Sequence, residues 1–345
     1  MATLKQVAGR AGVSISTASR VLSGSNYPVV PALRERVETA ARELDYVPNA
    51  QAQGLLRGST GMIGVLVGNV GDPYFSEMVN GIHALAVRRR LLVAICHTER
   101  DVELELEYFR MLQAHRASAV IIAGSGLSDE HYRASLAARA RSFSAGGGRV
   151  VAVGNTTLDV DRVLVDNTTG AVELARHLVG LGHREIIVLA GPENVGSTLE
   201  RVGGLNEIIG GAGGTLRIRY GAPTRDDAYR GAGEMFAQHP RATAVVGTAD
   251  QLAIGAMTWL REHGFRVPID VSVAGFNDIS LASDLEPALT TVRLPLRRMG
   301  EDALRLALDE HAAEPRVRHL STRLVVRAST AVASGAGAEG QGVRP

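Results

Sequence analysis

TLKQVAGRAGVSISTASRVLSG, residues 3–24, decides the reading of the N-terminus. Thr3 stands where a helix N-cap would, and Leu4, Val7, Ala8 and Ala11 after it share one face of a helical period. Gly12-Val13 breaks that face at a residue that tolerates a sharp turn. Ser14 is placed to cap a second helix, with Ala18, Val21 and Leu22 facing inward and Ser23-Gly24-Ser25-Asn26 stopping it. A third helix is predicted over about 32–45, burying Val37, Ala40, Ala41 and Leu44. Two short helices around a glycine turn, braced by a third, make a helix-turn-helix.

Working outward, charge separates this head from the rest. The net charge of the 345 residues is only +1. Residues 1–34 nevertheless carry Lys5, Arg10, Arg20 and Arg34 with no acidic residue, and residues 1–60 hold seven basic side chains against four acidic. A positive head on a slightly negative body suits contact with phosphate, although a chance cluster on a solvated face would look the same.

From Met62 the pattern changes to apolar runs alternating with amphipathic stretches. The runs are 62–67, 91–95, 118–123, 150–153, 185–190, 243–246 and 271–274; helices are predicted over 75–89, 102–114, 171–181, 199–209, 228–238 and 254–262. Continuous apolar strands separated by helices indicate parallel sheets covered on both faces. There are too many strands for one sheet, so two similar lobes with a cleft between them are expected. The fold class is thus α plus α/β: a three-helix head on a two-lobed domain with parallel sheets. Residues 1–47 are read as the head, 48–60 as a hinge, 61–330 as the two-lobed domain and 331–345, rich in glycine, as a disordered tail.

The quoted head resembles that of the LacI/GalR family. So do LDYVPNAQAQGL (44–55), LVGLGHREIIVLAGP (178–192), VPIDVSVAGFNDI (267–279) and EPALTTV (286–292), in the family's order and spacing over about residues 3–330. The resemblance implies a periplasmic-binding-protein-like sensor domain, a homodimer, and a roughly palindromic double-stranded DNA operator matched to its two-fold symmetry. It places the second helix in the major groove. Ile15, Ser16, Ser19 and Arg20 face away from the Ala18/Val21/Leu22 stripe. Arg20 suits a guanine edge, Ser16 several bases, and Ile15 either a thymine methyl or the neighbouring helix. Thr3, Ser14, Thr17, Ser19 and Asn26 are phosphate contacts or helix caps. Leu55 matches the family's minor-groove wedge, or else packs between domains; Gly54 beside it weakens helix formation.

The resemblance also implies an effector pocket for a sugar or related metabolite, with Asp72, Tyr74, Phe75, Arg201, Ala249, Asp250 and Asn277 as its residues. Arg201 is the most specific match, with an ion pair across the cleft as the alternative reading. Fixed donors and acceptors above an aromatic ring suit hydroxylated ligands. Asn277, Ala249 and Val153-Gly154-Asn155 depart from the polar pattern of many relatives, which puts a simple hexose in doubt.

Other classes fare worse. The chain has no G-x-S-x-G, P-loop or H-E-x-x-H motif, and AGGGR (145–149) precedes a strand instead of following one, so no enzyme is indicated. The single Cys96 forms no intrachain disulfide, no zinc spacing occurs, and neither cofactor nor metal is expected. There is no uninterrupted apolar stretch of about 18 residues and no secretory h-region, so a cytoplasmic protein without membrane partners is expected. A solute-binding protein and a ligand-independent DNA binder remain as alternatives.

Overall fold

The computed structural model describes residues 2–22, 28–47, 60–124, 126, 129–310, 312 and 314–334. Asn26, Leu55, residues 48–59 of the expected hinge and residues 335–345 of the expected tail lie outside that description.

The head holds α1 (Leu4–Ala11), α2 (Ile15–Leu22) and α3 (Pro31–Glu43). Thr3 opens α1 through a reciprocal cap with Gln6. Gly12 closes it at φ +65°, in the left-handed region. From α3, Arg36 donates to the Ala11 carbonyl at that same helix end, a favourable place for a cation. The core beneath is built of Val7, Ala8, Ala11, Ala18, Val21, Val37, Ala40 and Ala41, small enough for three short helices to approach closely.

The first lobe follows as β1 (Met62–Val67), α4 (Pro73–Arg88), β2 (Leu92–His97), α5 (Val102–Ala114), β3 (Ala119–Ala123), α6 (Glu130–Ala145), β4 (Arg149–Val153) and β5 (Asp161–Val165). The second comprises α7 (Asn167–Gly180), β6 (Glu185–Ala190), α8 (Gly196–Gly211), β7 (Thr215–Tyr220), α9 (Arg225–Gln238), β8 (Ala244–Gly247), α10 (Asp250–Glu262), β9 (Ser272–Asn277) and β10 (Thr290–Arg293). The chain then returns to the first lobe with α11 (Leu296–Leu308) and β11 (Val317–Leu320), and ends in the second with β12 (Arg323–Val325). The sheets run β11-β5-β4-β3-β1-β2 and β12-β10-β9-β8-β6-β7, parallel throughout except where β12 opposes β10. The backbone therefore passes between lobes three times.

The central strands β1, β3, β6, β8 and β9 are buried almost end to end, the continuous apolar reading that helices on both faces require. The sequence reading misses β5, β7, β10, β11, β12, α6 and α11. Thr290 and Thr291 of β10 are fully buried but polar, and β7 (TLRIRY) alternates because it is an edge. Helices α4 and α11 meet almost backbone to backbone: a β-carbon on Gly81 would collide with the Arg297 carbonyl, and one on Gly300 with that of Met78. That contact fixes α4, whose first turn faces the cleft. The composition-based start of the tail is too early. Ala331 N donates to Ser272 Oγ at 3.0 Å and Ala333 N to Leu181 O at 2.8 Å, because the backbone there pairs whatever its side chains are.

Candidate functional site

Strand C-termini and the helix starts that follow them converge between the lobes, as parallel sheets dictate. They enclose a cavity of about 610 Å³ lined from both sides, by Asp72, Tyr74, Phe75 and Arg100 among others of the first lobe and Thr198, Arg201, Pro223, Ala249 and Asn277 among others of the second.

Asp72 caps α4, its Oδ1 accepting from Tyr74 N at 2.9 Å, and burial raises its pKa above the usual carboxylate range. Tyr74 and Phe75 meet edge to face at 4.9 Å, and the Arg100 guanidinium lies 6.0 Å from the Phe75 ring centre.

Arg201 is buried in the opposite wall. Its Nε donates to Asn167 Oδ1 at 3.0 Å and its Nη1 to the Thr248 carbonyl at 2.6 Å, while its guanidinium sits 4.1 Å from the Phe276 ring centre. Burial lowers its pKa to about 10, so it stays protonated at neutral pH. Asn277, 3% exposed, has φ +117°, and its Oδ1 has no hydrogen-bond partner among the described residues. A buried amide oxygen left without a partner costs about 1–3 kcal/mol.

Six of the seven residues named from the sequence for this pocket, Asp72, Tyr74, Phe75, Arg201, Ala249 and Asn277, line the cavity. Asp250 does not. It is completely buried behind the wall, accepting from Thr291 Oγ1 at 2.6 Å and Ile279 N at 2.8 Å. Being the first residue of α10 turns its side chain towards β10 and the 277–279 turn, so it shapes the wall that carries Asn277. Burial pushes its pKa up to about 7, ahead of the opposing effect of those two donors. Sequence reading also misses Glu99, Arg100, Ser197 and Thr198, which line the cavity. The usable signal was position alone, since Glu99 and Arg100 follow the C-terminus of β2.

On the head, Ile15 is 50% exposed and Ser16 and Arg20 are exposed, so the Ile15 side chain stands outward and not against its neighbour helix. Ser14 caps α2, its Oγ accepting from Thr17 N at 3.1 Å, and lies 2.8 Å from the Ser16 and Thr17 hydroxyl oxygens. Thr3 is likewise a cap, and Ser19 is half-buried.

A helix-turn-helix head on a two-lobed domain with an interlobe cavity defines a regulator of the periplasmic-binding-protein-like type. The profile of bacterial regulatory proteins of the lacI family matches residues 3–49, and that of the periplasmic binding protein-like domain matches residues 175–330. The HTH-type transcriptional repressor PurR of Vibrio atlanticus (strain LGP32) is 31% identical over 335 residues, covering 95% of this chain and 98% of its own. PurR of Vibrio vulnificus (strain CMCP6) is 32% identical with the same coverage. Among solved structures, the lac repressor dimer bound to operator and the anti-inducer ONPF has a TM-score of 0.82 at 28% identity, covering 96% of this chain and 99% of that one. The transcriptional regulator CelR–cellobiose complex has a TM-score of 0.69 at 29% identity, covering 95% and 100%. The chain belongs to the LacI/GalR family. No described helix is long and apolar enough to cross a membrane.

Proposed function

We propose that this chain is a cytoplasmic, homodimeric transcriptional repressor that reads a palindromic operator through paired α2 helices and is controlled by a small polar effector in the cleft. The observation that carries the proposal is the coexistence, on one chain, of an outward α2 face bearing Ile15, Ser16 and Arg20 with an interlobe cavity lined by the buried side chains of Arg201 and Asn277. The similar lac repressor was solved as a dimer on its operator and CelR with cellobiose, which supports the same three partners here. Two carboxylates (Asp72, Glu99) balance two guanidiniums (Arg100, Arg201) around the cavity, which favours an uncharged or zwitterionic hydroxylated or amide-bearing molecule. The cleft is a binding site and not a reaction centre, in keeping with the similar PurR repressors.

The test selects an operator from random duplexes, screens sugars, nucleobases and nucleosides by thermal shift, and measures operator affinity with and without each hit. Coupling between the two sites of about 1–3 kcal/mol is expected. Failure to prefer any sequence over bulk DNA sinks the DNA half. Stabilising compounds that leave operator affinity untouched sink the control half.

A further inference from the structure

Arg201 is held from behind by a relay that leaves the cavity and crosses the cleft. Asn167, whose Oδ1 takes the Arg201 Nε, donates through Nδ2 to Glu200 Oε2 at 2.8 Å. The other Glu200 oxygen, Oε1, accepts from Asn155 Nδ2 at 2.7 Å. Glu200 and Arg201 are consecutive on α8 and so point about 100° apart, one into the seam between lobes and the other into the cavity. Asn155 follows β4, in the first lobe. The Asn155–Glu200 bond therefore joins one lobe to the other.

Donor and acceptor polarity leaves little freedom here. The Asn167 oxygen is committed to Arg201, so its amide nitrogen must face Glu200, and only an acceptor suits it. Asn155 presents a second amide donor from the other side. A carboxylate, accepting at both oxygens, satisfies the two together and is strengthened by its charge. The seam around it is not sealed by close packing. Asn155, Thr156 and Leu158 face Gly196 and Leu199 across a further cavity of about 160 Å³, so the hydrogen bond carries contact that apolar surface does not.

We propose that Glu200 is a positioning residue that links lobe closure to Arg201: when the lobes close, Asn155 engages Glu200, which fixes Asn167 and, through it, the guanidinium in the effector wall. When they open, Glu200 loses its partner in the first lobe and Arg201 loses the far end of its support. The use of this link rests on the cleft being an effector site, but its test does not.

The test measures the interlobe distance in the full chain by double electron–electron resonance. Nitroxides are attached at Glu130→Cys on α6 and Asp226→Cys on α9, both exposed, with Cys96→Ser removing the native thiol. Asn155→Asp opposes two carboxylates and should lower the closed-to-open ratio about tenfold. Adding Glu200→Gln reverses the polarity of that one bond. The glutamine amide nitrogen then donates to the new aspartate while its oxygen still accepts from Asn167, and the short-distance population should return. A merely structural role for Glu200 would not be rescued by this exchange. A parent distribution that Asn155→Asp leaves unchanged, or a double variant as open as the single one, overturns the proposal. A fruitless compound screen would sink the effector reading and leave the distance result standing.

Discussion

The α2 face and the cleft do their recognition with opposite economies. On α2, Ile15, Ser16 and Arg20 stand exposed over a core of alanines and valines, within reach of solvent until DNA arrives. At the cleft, Arg201 in the wall and Asp250 behind it are buried and already bonded to protein, and Asn277 is buried with one acceptor unpartnered among the described residues. Exposed groups act additively and are screened by salt, whereas buried groups act through fixed geometry and respond to protons and to loss of a partner.

The largest test of that contrast is ionic strength. With six to ten phosphates engaged per dimer, operator affinity should fall on the order of 10³–10⁵-fold between about 50 and 200 mM salt, while effector affinity hardly changes. Anisotropy and calorimetric titrations across that range check both, and equal slopes would erase the distinction. Next comes pH. Asp250 takes up a proton on folding between its unfolded value of 3.8 and about 7, so its contribution to stability falls as pH rises through that window and stays low above it. Asp250→Asn should remove up to about 4 kcal/mol of this dependence, read from denaturant midpoints between pH 4 and 8. Parallel curves for the two proteins would show that Asp250 stays ionised. Arg201→Ala leaves the Thr248 carbonyl and Asn167 without their donor; a loss of about 3 kcal/mol in effector binding is expected, with the operator salt slope intact. A changed slope would tie the regions more closely than their structures do. The smallest expected effect is Arg20→Ala, about 1–3 kcal/mol, confined to one base pair per half-site. Uniform weakening across all sequences would make Arg20 a phosphate contact instead.

The same contrast explains what the sequence disclosed. Apolar periodicity located the buried strands and the packed stretches of most helices. Yet α4, α7, α8, α9 and α10 all begin two to four residues before their periodicity does, at Pro73, Asn167, Gly196, Arg225 and Asp250. The first turns of α7 (NTTG), α8 (GSTL) and α9 (RDDA) carry mostly small or polar residues, and Ser197 and Thr198 of α8 line the cavity. Periodicity therefore went silent where the candidate site begins, and resemblance had to supply Arg201 and Asn277. It could not separate a wall residue from the one behind it, as Asp250 shows. Caps were legible at Thr3 and Ser14, whose chemistry is local. The relay from Asn155 to Arg201 was not, because it joins residues far apart in sequence through amide orientations that no local pattern encodes.

The last strands, β11 and β12, form the outer edges of the two sheets, one in each lobe. During synthesis the first five strands of the leading lobe emerge well before the chain reaches Val317, and until then β5 has an open edge. Asp161 waits as well, since its bonds from Arg316 N at 2.7 Å and Arg316 Nη2 at 2.7 Å come from the residue just ahead of β11. Neither lobe is complete as a nascent chain. A ribosome stalled in the last thirty described residues holds a protein with two unfinished sheets, and a premature stop codon before Val317 removes an edge from both lobes at once.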